Sequence, residues 1–142
     1  MAGVACAAVL AWLVVLSAFD VRERRLPNWL TLPGAVAILG AALVIGRGLP
    51  AVAGAAALFA VYMTVHLLAP AAMGAGDVKL AIGVGALTGS FGVDVWTLAA
   101  LAAPLMSATW GVVAAGRLSE TTVPHGLSMC VATSAASALV VL

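Results

Sequence analysis

The feature that most constrains this chain is its nearly continuous apolar character, which only short groups of charged residues interrupt. Of its 142 residues, 65% are hydrophobic and 8% are charged, whereas charged residues make up about a quarter of a typical soluble domain. A bilayer core of about 30 Å requires about 20 mostly apolar residues per helix, so this length accommodates about six spanning helices and little else. The sequence therefore predicts an all-α, polytopic membrane protein that forms a single domain over residues 1–142.

Apolar stretches separated by charged, Gly and Pro positions define the expected spans. They lie at Ala2–Phe19, Trp29–Gly46, Pro50–Ala69, Val78–Thr88, Val95–Ala115 and Gly126–Leu142. The fourth is short, because about eleven residues separate Asp77 from a Gly-rich turn expected at Gly89–Gly92, fewer than a bilayer requires. If Met73–Gly76 enter the membrane as non-helical backbone to make up the depth, we expect them to be buried in protein or to line a wet cavity, since lipid cannot satisfy free amides.

The basic residues predict the orientation of these spans. All but one follow the first, third or fifth span: Arg22, Arg24, Arg25, Lys79 and Arg117. Only Arg47 falls on the other side. Because cytoplasmic loops are enriched in Lys and Arg, this distribution predicts that Asp20 and Asp77 face the cytoplasm and that both termini lie outside. The net charge of +1 argues against a nucleic-acid partner.

The first acidic motif places Asp20 at the end of span one, before a basic stretch and the turn residues Pro27 and Asn28. An acid at this position has two interpretations. It can act in a catalytic site at the membrane boundary, or it can pair with Arg24 at helical spacing and contribute only a few tenths of a kcal/mol. This motif alone does not separate the two.

The second motif is Gly74-Ala75-Gly76-Asp77-Val78-Lys79. Its two glycines let the backbone bend and approach a substrate chain just before an acid. The structural interpretation is that Asp77 serves as the N-cap of span four, where a carboxylate is favoured. Lys79 is expected to be an anchor that extends toward the lipid headgroups.

Together, the motifs place two acids on the same membrane face at the ends of different helices. Paired carboxylates suit peptide hydrolysis by water, because repulsion and desolvation separate their pKa values and leave one ionised while the other is protonated. The ionised acid deprotonates a bound water, and the protonated acid donates a hydrogen bond to the scissile carbonyl. The sequence leaves open which acid starts ionised.

These motifs resemble those of the type IV prepilin peptidase family, in particular its short members associated with tight-adherence pili. The family has an Asp after its first core helix, then a basic stretch and Ile-Pro-Asn, which matches Asp20 and Leu26-Pro27-Asn28. Its second signature, Gly-x-Gly-Asp-x-Lys before an apolar helix, matches Gly74 to Lys79. A Pro-x-Gly-Pro segment often opens the family's last helix, and Pro124-His125-Gly126-Leu127 matches it without the second proline.

The resemblance implies an aspartic endopeptidase of the bacterial inner membrane that cuts a pilin precursor on the cytoplasmic side, next to a glycine and before its hydrophobic helix. The implied partners are this prepilin helix and the lipid bilayer. The implied site residues are the catalytic Asp20 and Asp77, with Gly74, Gly76, Lys79, Pro27 and Asn28 binding substrate or shaping the site. Larger members carry an additional cytoplasmic segment and methylate the product with S-adenosylmethionine. This chain lacks that segment, so we expect peptidase activity alone, with no cofactor and no metal.

Other polar residues are assigned structural roles. We expect His66, within span three, to hydrogen-bond a neighbouring helix, and His125 to be solvated in the loop before the last span. Asp94 is expected on the outer side, away from the acidic pair. Cys6 and Cys130 show no metal-ligand spacing and are expected to be small buried thiols.

Two alternatives stay open at this point. One is another Gly-x-Gly-Asp membrane protease, such as a preflagellin peptidase or a presenilin-like enzyme, with the same chemistry on a different substrate. The other is a small proton-coupled transporter subunit, in which intramembrane acids relay protons and a Gly-broken helix binds an ion. Both acids lie at the cytoplasmic boundary with no polar chain continuing outward, which favours the peptidase. The sequence does not predict the oligomeric state.

Overall fold

The computed structural model describes residues 2–71, 73–116 and 125–141, and over these ranges the chain forms six α-helices and no strand. The helices are α1 (Ala2–Glu23), α2 (Asn28–Val44), α3 (Gly48–Leu68), α4 (Ala75–Phe91), α5 (Val93–Gly116) and α6 (His125–Val141). Each corresponds to one predicted span, although Leu142, the predicted end of the last span, lies outside the described residues. The all-α prediction is confirmed.

The outer surface of this bundle is apolar. Three helical stretches are long and apolar enough to cross a bilayer: Ala2–Glu23, Gly48–Leu68 and Val93–Val113. Two further helices, α2 and α6, are apolar but shorter. Large side chains such as Val14, Val36 and Leu105 are about two-thirds exposed on these helices, which suits lipid as the surrounding solvent. The fold is that of a polytopic membrane protein.

Helix α4 occupies the centre of the bundle, where it packs against α2, α3, α5 and α6. Between Val78 and Ser90, only Lys79 and Ile82 are not buried. Its 17 residues rise by about 25 Å, less than a full bilayer core. The neighbouring helices surround this helix, so lipid contacts little of its length.

The predicted boundaries of span four were wrong at both ends. Ala75 and Gly76 are helical, and so are Gly89 to Phe91; the chain turns only at Gly92, where φ is +124°. The glycines do not break the helix; because they have no side chain, they allow neighbouring segments to pack closely against it. A Cβ at Gly89 would lie 2.6 Å from the Pro50 carbonyl oxygen and 3.0 Å from the Gly54 Cα, so glycine allows α3 and α4 to approach closely, as small residues do in membranes.

The end of α4 is closed by Arg47, the basic residue predicted on the outer side. Its Nη1 donates a hydrogen bond of 2.8 Å to the backbone oxygen of Ser90. The last carbonyls of a helix have no partner within that helix, and they carry the negative end of its dipole. The Arg47 guanidinium therefore gives the Ser90 carbonyl a hydrogen-bond partner and places a positive charge at the negative end of the helix dipole.

Helix α1 is fixed to α2 and α4 by Trp12. Its indole N–H donates to the Leu30 oxygen at 2.9 Å, and a Cβ at Gly83 would lie 2.9 Å from its ring.

The two cysteines differ in their burial. Cys6, near the start of α1, is exposed, while Cys130 in α6 is buried. The prediction of a buried thiol was therefore wrong for Cys6, because this part of α1 lies on the outside of the bundle.

Candidate active site

The two acidic motifs meet at one end of the bundle, where α1 ends and α4 begins. A cavity of about 590 Å³ opens there. Its lining residues come from both motifs: Asp20, Glu23, Arg24, Arg25, Leu26, Pro27, Asn28, Gly74, Ala75, Gly76, Asp77 and Lys79. Every site residue expected from the sequence therefore lies around this one cavity, which we call the acidic cavity.

Asp20 lies within the last turn of α1 and is only 7% exposed. Its Oδ2 accepts a hydrogen bond of 2.9 Å from the backbone N–H of Leu127. That amide belongs to the first turn of α6, where unpaired N–H groups and the helix dipole favour a negative charge. A Cβ at Gly126 would lie 2.9 Å from the Asp20 Cγ, so the absence of a side chain there lets the carboxylate reach α6.

Asp77 lies in the first turn of α4, and the N-cap of this helix is Gly74. The interpretation of Asp77 as the N-cap was therefore wrong. Its backbone N–H bonds to the Gly74 oxygen at 3.2 Å, and its Oδ2 lies 3.7 Å from where a Cβ of Gly74 would be. Asp77 is partly buried and lines the acidic cavity together with Asp20. These two acids, at the ends of two helices, are called the acidic pair.

The loop that follows α1 closes over α4 beside this pair. A Cβ at Gly76 would lie 3.1 Å from the Leu26 Cβ, so glycine allows the Leu26–Pro27 segment to approach. Pro27 is the N-cap of α2. Lys79 Nζ donates a hydrogen bond of 2.8 Å to Asn28 Oδ1, which gives Lys79 a partner inside the site in addition to the headgroup contact expected from the sequence.

Three polar side chains behind the acidic pair were missed by the sequence interpretation. His125 Nδ1 lies 2.7 Å from Ser107 Oγ, and its Nε2 lies 3.2 Å from the Tyr62 hydroxyl. The prediction that His125 is solvated was wrong, because α6 begins at this residue and its first turn already lies inside the bundle. The signal that pointed here was the Pro-x-Gly segment, which contains both His125 and Gly126.

His66 and Asp94 do not line the acidic cavity. His66 Nδ1 is 2.7 Å from the Met73 oxygen, which connects the end of α3 to the segment before α4, so its partner belongs to a loop and not to the neighbouring helix that was expected. Asp94 is exposed in the first turn of α5, at the opposite end of α4 from Asp77. Among the described residues, no three His, Cys, Asp or Glu side chains group as metal ligands would.

Comparison with known proteins identifies the family of this chain. Residues 7–116 match a family model described as the type IV leader peptidase family. Comparisons with curated proteins and with solved structures gave no match. The matched range covers more than half of the chain and includes both acids of the cavity. The chain therefore belongs to the type IV leader peptidase family, and it is a membrane peptidase.

Proposed function

We propose that the protein is an aspartic endopeptidase that removes the leader of type IV prepilins, of the tight-adherence kind, at the cytoplasmic face of the bacterial inner membrane. Family membership supports peptide hydrolysis. The observation that carries the aspartic mechanism is the presence of Asp20 and Asp77, from two separate motifs, on one cavity.

The two carboxyls divide the chemistry of hydrolysis between them. In a close pair, repulsion and desolvation keep one carboxyl protonated while the other is ionised. The ionised carboxylate takes a proton from water as the water attacks the scissile carbonyl carbon, and the protonated partner donates a hydrogen bond to the carbonyl oxygen. When the C–N bond breaks, a carboxyl returns a proton to the leaving amine. The pair is then ready for another water.

The acidic cavity suits an extended peptide that precedes a hydrophobic helix. Its volume falls within the range of about 300–1,000 Å³ that is usual for ligand sites. Gly74 is exposed and has no side chain to cover the backbone just before Asp77, so a substrate chain can lie close to it. The substrate's hydrophobic helix would remain in the membrane, with its end beside the acidic pair.

The experiment is co-expression with candidate small pilin precursors, read by the mass of the product. Wild-type protein is expected to shorten the precursor by its leader. Asp20→Asn and Asp77→Asn are each expected to abolish processing while the protein remains inserted in the membrane, because hydrolysis requires both carboxyls. Asp94→Asn, at the opposite end of the bundle, is the matched control and should process normally. Normal cleavage by either motif variant would refute the mechanism.

A further inference from the structure

The first turn of α6 is held from two sides by polar contacts. His125, its first residue, contacts Ser107 of α5 through Nδ1 and Tyr62 of α3 through Nε2. The rings of Tyr62 and His125 also lie against each other, with centroids 5.6 Å apart. Tyr62 is 4% exposed, and a buried hydroxyl of this kind requires a partner. The imidazole thus joins three helices at one point.

This junction lies directly behind the acidic pair. Leu127, whose amide holds the Asp20 carboxylate at 2.9 Å, is two residues after His125. Between them is Gly126, which lies against the carboxylate itself. Any movement of the first turn of α6 therefore moves the donor that orients Asp20.

We propose that His125 is a positioning residue for the catalytic pair, which fixes the first turn of α6 between Ser107 and Tyr62 so that the Leu127 amide holds Asp20 in its reactive orientation. This inference rests on the proposed function. It assigns a role to a side chain that does not itself line the acidic cavity. The effect on catalysis passes through the backbone of α6.

A direct catalytic role for His125 fits the geometry less well. Both ring nitrogens have hydroxyl partners, and a neutral imidazole has only one donor and one acceptor. Hydroxyl groups can donate or accept, so Ser107 and Tyr62 satisfy the ring in either tautomer. With both nitrogens engaged, the ring has no position left from which to take a proton from the attacking water.

The kinetic test uses the purified full-length protein in detergent with a precursor. Because small misplacements of a catalytic group are costly, His125→Ala is expected to lower kcat by about tenfold to a hundredfold, with KM changed less than about twofold. Tyr62→Phe and Ser107→Ala each remove one contact and should lower kcat by about threefold to tenfold. His125→Gln, which keeps a polar group near Tyr62, should recover part of the loss.

Thr109→Ala is the matched control for Ser107→Ala. The Thr109 hydroxyl is exposed and donates its hydrogen bond to the Leu105 oxygen within its own helix.

Three kinetic outcomes would overturn the proposal. Wild-type kcat in His125→Ala would mean that the contacts do not orient Asp20. A rise in KM alone would indicate a substrate contact. Activity as low as that of Asp77→Asn, with Tyr62→Phe and Ser107→Ala unaffected, would indicate direct catalysis by the imidazole.

Amide hydrogen exchange gives a readout that does not depend on cleavage. Exchange over residues 126–131 should rise in His125→Ala and Tyr62→Phe and stay at the wild-type level in Thr109→Ala, because only the first two loosen the start of α6. Tyr62→Phe keeps the ring and removes only the hydroxyl, so it tests the contact even if His125→Ala folds poorly. Unchanged exchange in both variants would overturn the positioning role. Failure of the wild-type protein to cleave any precursor would instead overturn the proposed function. The exchange data would still decide whether His125 holds the first turn of α6 against Asp20.

Discussion

Lys79 donates a hydrogen bond of 2.8 Å to the side-chain oxygen of Asn28, and this contact joins the second turn of α4 to the first residue of α2. Each residue belongs to a different acidic motif. The contact therefore holds the Asp77 side of the acidic cavity at a fixed separation from the loop that follows Asp20. It links a lysine and an asparagine that are 51 positions apart in the sequence and that line the same cavity.

The first prediction concerns this contact. Lys79→Met and Asn28→Ala should each lower kcat/KM for the precursor by about threefold to tenfold, the equivalent of the ~0.5–1.5 kcal/mol that a typical hydrogen bond contributes net. The double variant should lose little more than either single variant, because residues that act through one contact are not additive. Fully additive losses, measured with purified proteins of equal thermal stability, would mean that the two side chains act independently.

The second prediction concerns Gly126. A methyl group there would lie 2.9 Å from the Asp20 Cγ, so Gly126→Ala should displace the carboxylate and lower kcat by about a hundredfold or more. Gly40→Ala is the matched control, since a Cβ at this exposed helical position meets nothing within 4 Å. It should cleave normally and unfold at the same temperature or slightly higher. Normal cleavage by Gly126→Ala would show that α6 does not constrain Asp20.

The third prediction separates stability from activity at the other end of α4. Arg47→Ala removes the donor to Ser90 and should lower the free energy of unfolding by about 1–2 kcal/mol, since a charged donor to the last carbonyls is lost. Its kcat should stay within about twofold of the wild-type value, because the site lies at the opposite end of the helix. Thermal unfolding in detergent and precursor cleavage, measured on the same samples, give the two quantities. A large loss of kcat with unchanged stability would contradict the assignment.

The fourth prediction concerns topology. Six helices that each cross the membrane place both termini on the same side, and the basic residues place that side outside. Reporters fused to residues 1 and 142 should both be periplasmic. A cytoplasmic reporter at the C-terminus alone would mean that one helix does not cross, and α4, with its 17 residues, would be the first candidate.

Hydropathy and the two motifs were sufficient to predict the helices and the acidic cavity. Six apolar stretches gave six helices, and the basic residues placed Asp20 and Asp77 together, where the structure also has them. The length of α4 was misjudged because Gly76 and Gly89 were interpreted as breaks. In a membrane helix such residues provide close packing instead.

The contacts behind the acids were beyond the reach of the sequence. Asp20 and Leu127 are 107 positions apart, and no local pattern indicates that an amide in one helix binds a carboxylate in another. The same holds for Tyr62, Ser107 and His125, which are polar residues on three helices that only the packing of the bundle brings together. The periodicity of apolar residues in a sequence indicates which face of a single helix is buried, whereas these contacts depend on how several helices are arranged.

The bond between Asp20 and the Leu127 amide has a consequence for how the protein is made. Asp20 belongs to α1 and Leu127 belongs to α6, which is synthesised later because it lies 107 positions further along the chain. Until α6 has been inserted, the carboxylate of Asp20 lacks the donor that orients it. A nascent chain in which only α1 to α5 are inserted therefore has both acids but lacks this contact, and under the proposed mechanism we expect it not to cut peptides until α6 is in place.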